Sequence, residues 1–468
     1  MRTIHAMALL ALLAAPVSGE EIHIEGTEIV SGAAPQITVE GLEPGDRVRV
    51  HSIRMFEVWE PDSNGDWRPV ARPLHAWGDF LANATGIVSL RVMSPLAGTY
   101  AGTDAYGLLW SGRVVPAQAQ DTFLPGTIAI ADMSDGEGQL IVTREDRTLA
   151  SEQLRFRDPP SLRIVEVAQG RLNGTFAAPQ DGERHPVVIL LHGSEGGSPA
   201  AAAALANRFA GQGYAAFAFN YFAWDLANLE GVPNAHVNQP IEMLAAVRDW
   251  MAAQPESDVE RLGVYGHSKG AEYAALAAVR LPWIDAVAAC VPTDVVWQGY
   301  GIGDGRNRSN PFGEPPELYS SFSWEGQPLP YIPLEGDRRP YHSNTDFYEA
   351  KRVEAGQVAE AAAIAVEQSS ASFLWLGGGR DEVWASGQMA RSLDARMQAA
   401  GEAARSELVV YDGAGHAICG DGTYPTRLWQ SDSEDQRDPD LDANGRATVD
   451  GWERIVEFFG RKLRGGSG

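Results

Sequence analysis

Cysteine is nearly absent from this chain: Cys290 and Cys419 are the two in 468 residues. That number excludes a fold held together mainly by disulfides. In an exported chain the two could still pair, and as free thiols they would do nothing special. Basic residues are also scarce, with 37 Lys and Arg against 62 Asp and Glu and a net charge of −25. A field of that sign repels polyanions at long range, so nucleic acid is not an expected partner. Long apolar runs are missing beyond the N-terminus, which excludes a spanning helix there. Internal repeats are missing too, so the chain is not a solenoid. With 44% apolar residues it has the composition of a folded protein and not of a disordered one.

Arg2, the apolar run Ala6 to Ala15 and the small residues Val17-Ser18-Gly19 read as a secretory signal over residues 1–19. The run is shorter than the roughly 20 residues a membrane helix needs. No cysteine follows it to take a lipid, so an exported protein without stable membrane insertion is expected, periplasmic or extracellular. The Gly465-Gly466-Ser467-Gly468 end resembles an appended flexible linker and is set apart from the fold.

At this length two domains are expected. From residue 20 to 157 short alternating runs are broken by turn residues: Gln36 to Glu40, Arg47 to Ile53, Ile87 to Val92 and Thr127 to Ile130. That rhythm predicts an antiparallel, immunoglobulin-like β-sandwich. After Asp158-Pro159-Pro160 the chain alternates strands with helices, and residues 161–464 read as a mainly parallel sheet flanked by helices. The strands are Pro186 to Leu191, Ala215 to Phe219, Arg261 to Tyr265, Ala286 to Val291, Phe373 to Leu376 and Leu408 to Tyr411. Ala200 to Gln212, Pro240 to Ala253 and Ala271 to Leu281 read as helices. A final amphipathic helix is expected from Val449 to Leu463, with Trp452, Ile455, Val456, Phe458 and Phe459 on its inner face. Pro292 to Tyr348 is long, irregular and rich in Gly, Pro and aromatics, as lids and binding loops are.

The sharpest motif is Gly266-His267-Ser268-Lys269-Gly270, between a strand and a helix. This is the setting of a nucleophile elbow, where flanking glycines permit the strained turn that lifts a serine oxygen above an α/β-hydrolase sheet. A serine needs a base, and in this fold an acid and a histidine follow it in that order. Asp381 stands directly beyond Phe373 to Leu376, and His416 directly beyond Leu408 to Tyr411. His416 is expected to act as base then acid, with Asp381 orienting its ring and Glu382 as the fallback acid. His267 points away by elbow geometry and is expected to pack or to touch substrate. An oxyanion hole would use the backbone N–H of Lys269 and that of Ser194 or Glu195, in the glycine-rich Leu191 to Gly197. Trp297, Trp324, Tyr331 and Trp384 are candidate substrate-pocket walls, against the plainer reading of core aromatics.

These residues carry a resemblance to the acyl-CoA thioester hydrolases and bile acid-CoA:amino acid N-acyltransferases. Gly41-Leu42-Glu43-Pro44-Gly45, Gly98-Thr99-Tyr100 and Tyr106-Gly107-Leu108-Leu109-Trp110-Ser111 look like the family's first-domain signatures. Gly266 to Glu272 is similar to its elbow, Arg380-Asp381-Glu382-Val383-Trp384-Ala385-Ser386 to its acid loop and Gly413-Ala414-Gly415-His416 to its histidine loop. The resemblance spans nearly the whole chain after the signal. It implies a β-sandwich before an α/β-hydrolase domain and a Ser or Cys, Asp, His triad. Within that family transferases tend to carry Cys, so Ser268 favours hydrolysis. The export signal and the acidic charge depart from familiar members.

Asp440-Leu441-Asp442-Ala443-Asn444-Gly445 opens like a calcium loop, but Gly451 stands where the last, bidentate ligand belongs. A solvated loop before the last helix is the preferred reading, and neither metal nor cofactor is expected. The leading expectation is a serine hydrolase that cleaves a small-molecule acyl thioester or carboxylic ester through an acyl-enzyme. Acyl transfer to an amine, or amide hydrolysis, would use the same triad. An inactive exported binding protein is the alternative from another class.

Overall fold

The computed structural model describes residues 21–61, 67–115, 136–145, 147–224, 229–301, 319–334, 338, 340–428 and 433–465. The expected signal at residues 1–19, the expected strand Thr127 to Ile130, the middle of the Pro292 to Tyr348 segment and the last residues of the tail lie outside them.

The first domain is two packed sheets. One joins β1 (His23–Glu25), β3 (Thr38–Glu40) and β6 (Val88–Ser89). The other has seven strands, built from β2 (Glu28–Val30), β4 (Arg47–Pro61), β5 (Trp67–Leu81), β7 (Ala97–Gly98), β8 (Arg113–Val114), β9 (Gly138–Arg144) and β10 (Arg147–Arg157). Val39, Val48, Val50, Phe80, Leu140 and Val142 fill the space between the sheets. Two expected strands are shorter than the sequence suggests, because Gln36 and Ile37 lie outside the ladder before β3, and Leu90 to Val92 turn away after β6. β4 is longer: it pairs with β5 from Arg47↔Leu81 to Pro61↔Trp67. Beyond Ile53 the apolar alternation gives way to charged cross-strand contacts such as Arg72 to Glu60 at 2.7 Å, which hold a ladder without a hydrophobic pattern.

Within this ladder His51 and His75 stack, with Nδ1 of one 2.9 Å from Nε2 of the other. Burial, the neighbouring histidine and Arg49 push His51 down to about 3, and burial and Arg49 push His75 down to about 4. In the unfolded chain each ring takes a proton near pH 6.5, whereas folded it does so only near pH 3 to 4. Their contribution is therefore complete above pH 6.5 and is lost as the pH falls through that window, by up to about 1.4 kcal/mol per pH unit for each ring. A urea titration series between pH 7 and pH 4 should show the loss, and His51→Gln/His75→Gln should flatten it. A variant whose pH slope matches wild type removes these rings as the cause.

The second domain is an eight-stranded sheet in the order β11 (Leu162–Gln169), β12 (Leu172–Pro179), β14 (Ala215–Phe219), β13 (His185–Leu191), β16 (Ser257–His267), β17 (Ala286–Cys290), β20 (Ser372–Gly378) and β21 (Ser406–Tyr411). β12 runs antiparallel to both neighbours, and all pairings from β14 onward are parallel. The hairpin β11–β12 escapes the sequence reading because β11 is an edge strand with a largely solvated face. β15 (Gln239–Pro240), β18 (Phe322–Trp324) and β19 (Gln327–Pro328) form a small extra sheet that ties part of the irregular segment to the chain just before Met243.

The helices are α1 (Gly107–Trp110) in the first domain, then α2 (Pro199–Ala210), α3 (Met243–Ala252), α4 (Lys269–Arg280), α5 (Asn344–Ala355), α6 (Gln357–Ala361), α7 (Ser386–Ala399) and α8 (Leu441–Leu463). Buried strands such as AAFAF and AVAAC carry apolar side chains on both faces, as a sheet covered on both sides requires. One core lies under α3, α4 and α7, and the other under α2 and α8. None of the described helices is long and apolar enough to cross a membrane.

α8 begins eight residues earlier than the sequence suggests. Asp440 is its N-cap, with a carboxylate that accepts from the amides of Asp442 and Ala443 at 2.9 and 3.2 Å. The acidic tract is thus a capped first helical turn and not a solvated loop. The same turn meets the first domain, since a side chain at Gly445 would strike the buried Trp110 ring at 2.3 Å. The signature helix α1 is therefore part of the seam between the domains.

Candidate active site

The site lies at the carboxyl ends of the parallel strands, where open α/β sheets bind their ligands. β16 stops at His267 and α4 starts at Lys269, leaving Ser268 alone in the turn at φ 56° and ψ −118°. Few non-glycine residues adopt such angles, which cost about 1–3 kcal/mol and persist when the surroundings enforce them. Here the enforcement is steric. A Cβ at Gly266 would come 2.1 Å from the Gly270 carbonyl, and one at Gly270 would come 2.2 Å from the Leu191 carbonyl. Any larger residue at either place would push the strand, the helix and the neighbouring β13 apart. The Ser268 amide donates to the Cys290 carbonyl at 2.9 Å.

His416 Nε2 lies 2.9 Å from Ser268 Oγ. The other ring nitrogen, Nδ1, is 2.8 and 3.0 Å from the two carboxylate oxygens of Asp381. Asp381 is buried, and its remaining lone pairs are used: Oδ1 accepts from the amides of Val383 and Trp384, and Oδ2 from Ser386 Oγ at 2.5 Å. Ser386 Oγ in turn accepts from the Gly378 amide at 3.1 Å, so strand β20 and helix α7 hold the carboxylate between them. Burial pulls the His416 pKa down, but the Asp381 charge and hydrogen bond outweigh it and leave it above the ordinary histidine value.

The histidine loop is held from several sides. Glu382 accepts from the His416 amide at 3.1 Å, so it grips the main chain while Asp381 faces the ring. Asn444, in the first turn of α8, accepts from the Gly415 amide at 2.7 Å. His267 and Trp384 flank the His416 ring with centroids at 5.5 and 5.7 Å. His267 therefore packs, and burial lowers its pKa.

In the loop after β13, Trp224 Nε1 donates to the Ser194 carbonyl at 3.1 Å and Tyr221 Oη to the His192 carbonyl at 2.9 Å. The Glu195 carboxylate folds back to accept from the Gly193 amide at 2.8 Å. A Cβ at Gly193 would lie 3.2 Å from Ser268 Cβ, so this loop passes directly beside the serine. Lys269 presents its main chain at the start of α4, but its side chain turns into the core. There Nζ contacts Glu272 Oε2 at 2.6 Å and Ser321 Oγ at 2.8 Å, and Glu272 Oε1 accepts from the Trp297 amide at 3.3 Å. Burial pushes Lys269 down and Glu272 up, and each partner's charge opposes that push.

The aromatic residues expected to wall a pocket do other work. Trp297 is fully buried, with Nε1 donating to Thr293 Oγ1 at 2.8 Å, and Trp384 is buried with Nε1 donating to the Val291 carbonyl at 3.1 Å. Trp324 lies near Arg280 at the far end of α4, about 16 Å along the helix from the elbow by its rise per residue. Tyr331 packs, partly buried, on the core beneath α3 and α4. Trp297, Trp324 and Tyr331 serve as framework, since indole and phenol rings fill large volumes at low entropic cost, whereas Trp384 also borders the His416 ring. Ser386, Asn444 and the Lys269–Glu272 pair were missed by sequence reasoning. Ser386 stands inside the acid-loop motif, Lys269 and Glu272 inside the elbow motif and Asn444 inside the acidic tract, but nothing in those motifs shows what each side chain holds.

Residues 241–465 match the family described as BAAT / acyl-CoA thioester hydrolase C terminal, and residues 33–168 match the acyl-CoA thioester hydrolase/BAAT N-terminal region. Residues 172–298 also match the dienelactone hydrolase family. The chain is 24% identical to the mitochondrial acyl-coenzyme A thioesterase 2 of Mus musculus, over 82% of this chain and 79% of that protein. It is 25% identical to acyl-coenzyme A thioesterase 6 of Mus musculus, over 92% and 93%. Among solved structures, a dienelactone hydrolase from Klebsiella pneumoniae aligns at a TM-score of 0.39 and 18% identity, covering 64% of this chain and 99% of that one. A puromycin-hydrolyzing peptidase of Mycobacterium tuberculosis aligns at 0.42 and 12%, covering 87% and 54%. With both domain types matched in order along most of its length, the chain belongs to the acyl-CoA thioester hydrolase/BAAT family and is a hydrolase of the α/β-hydrolase fold.

Proposed function

We propose that the protein cleaves acyl thioesters or carboxylic esters through an acyl-enzyme on Ser268. The observation that carries this reading is the unbroken path from Ser268 Oγ through both nitrogens of His416 to a buried carboxylate. His416 takes the hydroxyl proton as the oxygen attacks the carbonyl carbon. The oxyanion that forms is met by the Lys269 amide, at the positive end of α4, and by an amide of Ser194 or Glu195. His416 then protonates the departing thiolate or alkoxide, and water attacks the acyl-enzyme by the same route in reverse.

The curated relatives are named for acyl-coenzyme A, and that supports a thioester as one substrate class. The net charge of −25 opposes a polyanionic leaving group at long range, which favours smaller or uncharged ones. Action outside the cytoplasm is supported by the signal-like residues 1–19 and by the paired cysteines.

The deciding experiment is a panel of p-nitrophenyl esters, N-acetylcysteamine thioesters and acyl-coenzyme A, with and without added glycine. Free acid as the sole product is expected. An amide product would replace hydrolysis by transfer, and a protein that neither turns over any substrate nor reacts with a fluorophosphonate would overturn the enzymatic reading.

A further inference from the structure

The two cysteines are joined, with Cα atoms 6.3 Å apart and a sequence separation of 129. Cys290 ends β17 beside His267, and its carbonyl receives the amide of Ser268. Cys419 lies three residues beyond His416, in a stretch that is neither helix nor strand. These links close a ring. From Ser268 one hydrogen bond reaches Cys290, the disulfide reaches Cys419, a short chain reaches His416, and Nε2 returns to Ser268 Oγ.

We infer that the Cys290–Cys419 disulfide is a positioning element that holds His416 in line with Ser268. The inference rests on the catalytic reading of that serine. Up to His416 the loop is held by the Asn444 and Glu382 contacts, and just after it by a single long bond from Thr448 Oγ1 to the Ala417 carbonyl at 3.3 Å and by the buried Ile418. After it, Asp421 binds the Ser31 hydroxyl and the Gly32 amide and pairs with Arg208, while Arg54 donates to the Thr423 carbonyl at 2.6 Å. Those contacts fix the chain to the first domain and to α2 from residue 421 onward. Between the two anchors the disulfide supplies the covalent tie to the strand that also receives the Ser268 amide.

The bond is open to chemistry from one side. Cys290 is fully buried, whereas Cys419 is partly buried and lines a mostly apolar cavity of about 170 Å³ bounded by Glu195, Ser198, Leu205, Arg208 and His267. A small dithiol reductant entering there attacks Cys419 Sγ as a thiolate, forming a mixed disulfide and expelling Cys290 as a thiolate that takes a proton. The reductant's second thiol then displaces Cys419 and closes the oxidised reductant into a ring. Two electrons and two protons thus pass to the cysteine pair.

The test is steady-state kinetics on the full chain before and after dithiothreitol, with free thiols counted by alkylation and mass. Reduction is expected to lower kcat about 10- to 100-fold with KM changed less than about twofold, since a misplacement near 1 Å costs on the order of 100-fold. The acid limb of the pH profile should move toward the ordinary histidine value as His416 loosens from Asp381. Reoxidation should restore both, and Cys290→Ser/Cys419→Ser should behave like the reduced protein. Circular dichroism after reduction separates the effect from unfolding: loss of the folded signal together with activity would overturn the positioning role in favour of a purely structural one. Full activity and an unmoved acid limb with both thiols free would also overturn it. An oxidised protein that is inert to every substrate and to a fluorophosphonate would remove the catalytic reading, and this inference with it.

Discussion

Ser268→Ala is expected to lower turnover of any ester or thioester substrate on the order of 10⁶-fold, the scale on which removal of a triad nucleophile is felt. The remaining rate comes from oxyanion donors and binding, which the substitution leaves in place. Asp381→Asn should cost roughly 10⁴-fold, because an amide in that position selects the wrong imidazole tautomer. The two also differ in pH behaviour. His416 must be neutral to take the serine proton, and Asp381 holds its pKa above the ordinary value despite burial. Wild-type activity should therefore fall as the pH drops through a value above 6.5, and the acid limb of Asp381→Asn should shift downward. Fluorophosphonate labelling followed by intact mass measures the same loss without choosing a substrate. Retention of more than about 1% of turnover in Ser268→Ala would place the nucleophile elsewhere, given that such losses are normally several orders of magnitude.

Glu272→Ala should cost about 3–5 kcal/mol of stability, the second large effect. The substitution leaves the Lys269 ammonium, side chain 4% exposed, on the Ser321 hydroxyl with its ion-pair partner gone. It also removes the acceptor of the Trp297 amide, loosening the segment that follows β17 from the helix that follows the serine. Replacing both charges together, as in Lys269→Met/Glu272→Leu, should recover most of the loss, because a buried pair spends much of its attraction on desolvation. Urea unfolding of the three variants measures this. A loss below about 1 kcal/mol in Glu272→Ala would mean that the lysine head finds water.

The parallel sheet, the elbow and the three residues of the proton path can be named from the sequence because each is signalled locally. Strands such as PVVILL are continuous apolar runs, and Ser268, Asp381 and His416 each sit directly beyond one. The early turns and the Tyr106 to Ser111 signature were as legible, although only the folded chain shows Trp110 seated against Gly445. Length was harder to read where charge replaced apolar alternation, as in β4 and β5, and where a capped acidic turn resembled a loop, as at Asp440. What the sequence by itself determined was the order of elements and the chemistry each loop could offer, since periodicity and glycine placement act over a few residues. Only the tertiary structure decided which partners complete the site: Ser386 under Asp381, Asn444 under the histidine loop, Glu272 on Lys269, and Cys290 joined to Cys419. It also moved Trp297 from pocket wall to framework. The Asn444 and Cys290–Cys419 pairings join positions 29 and 129 apart in the chain and are set by how the layers pack, while Ser386 and Glu272 lie 5 and 3 positions from their partners and need only the local turn and helix to be in place.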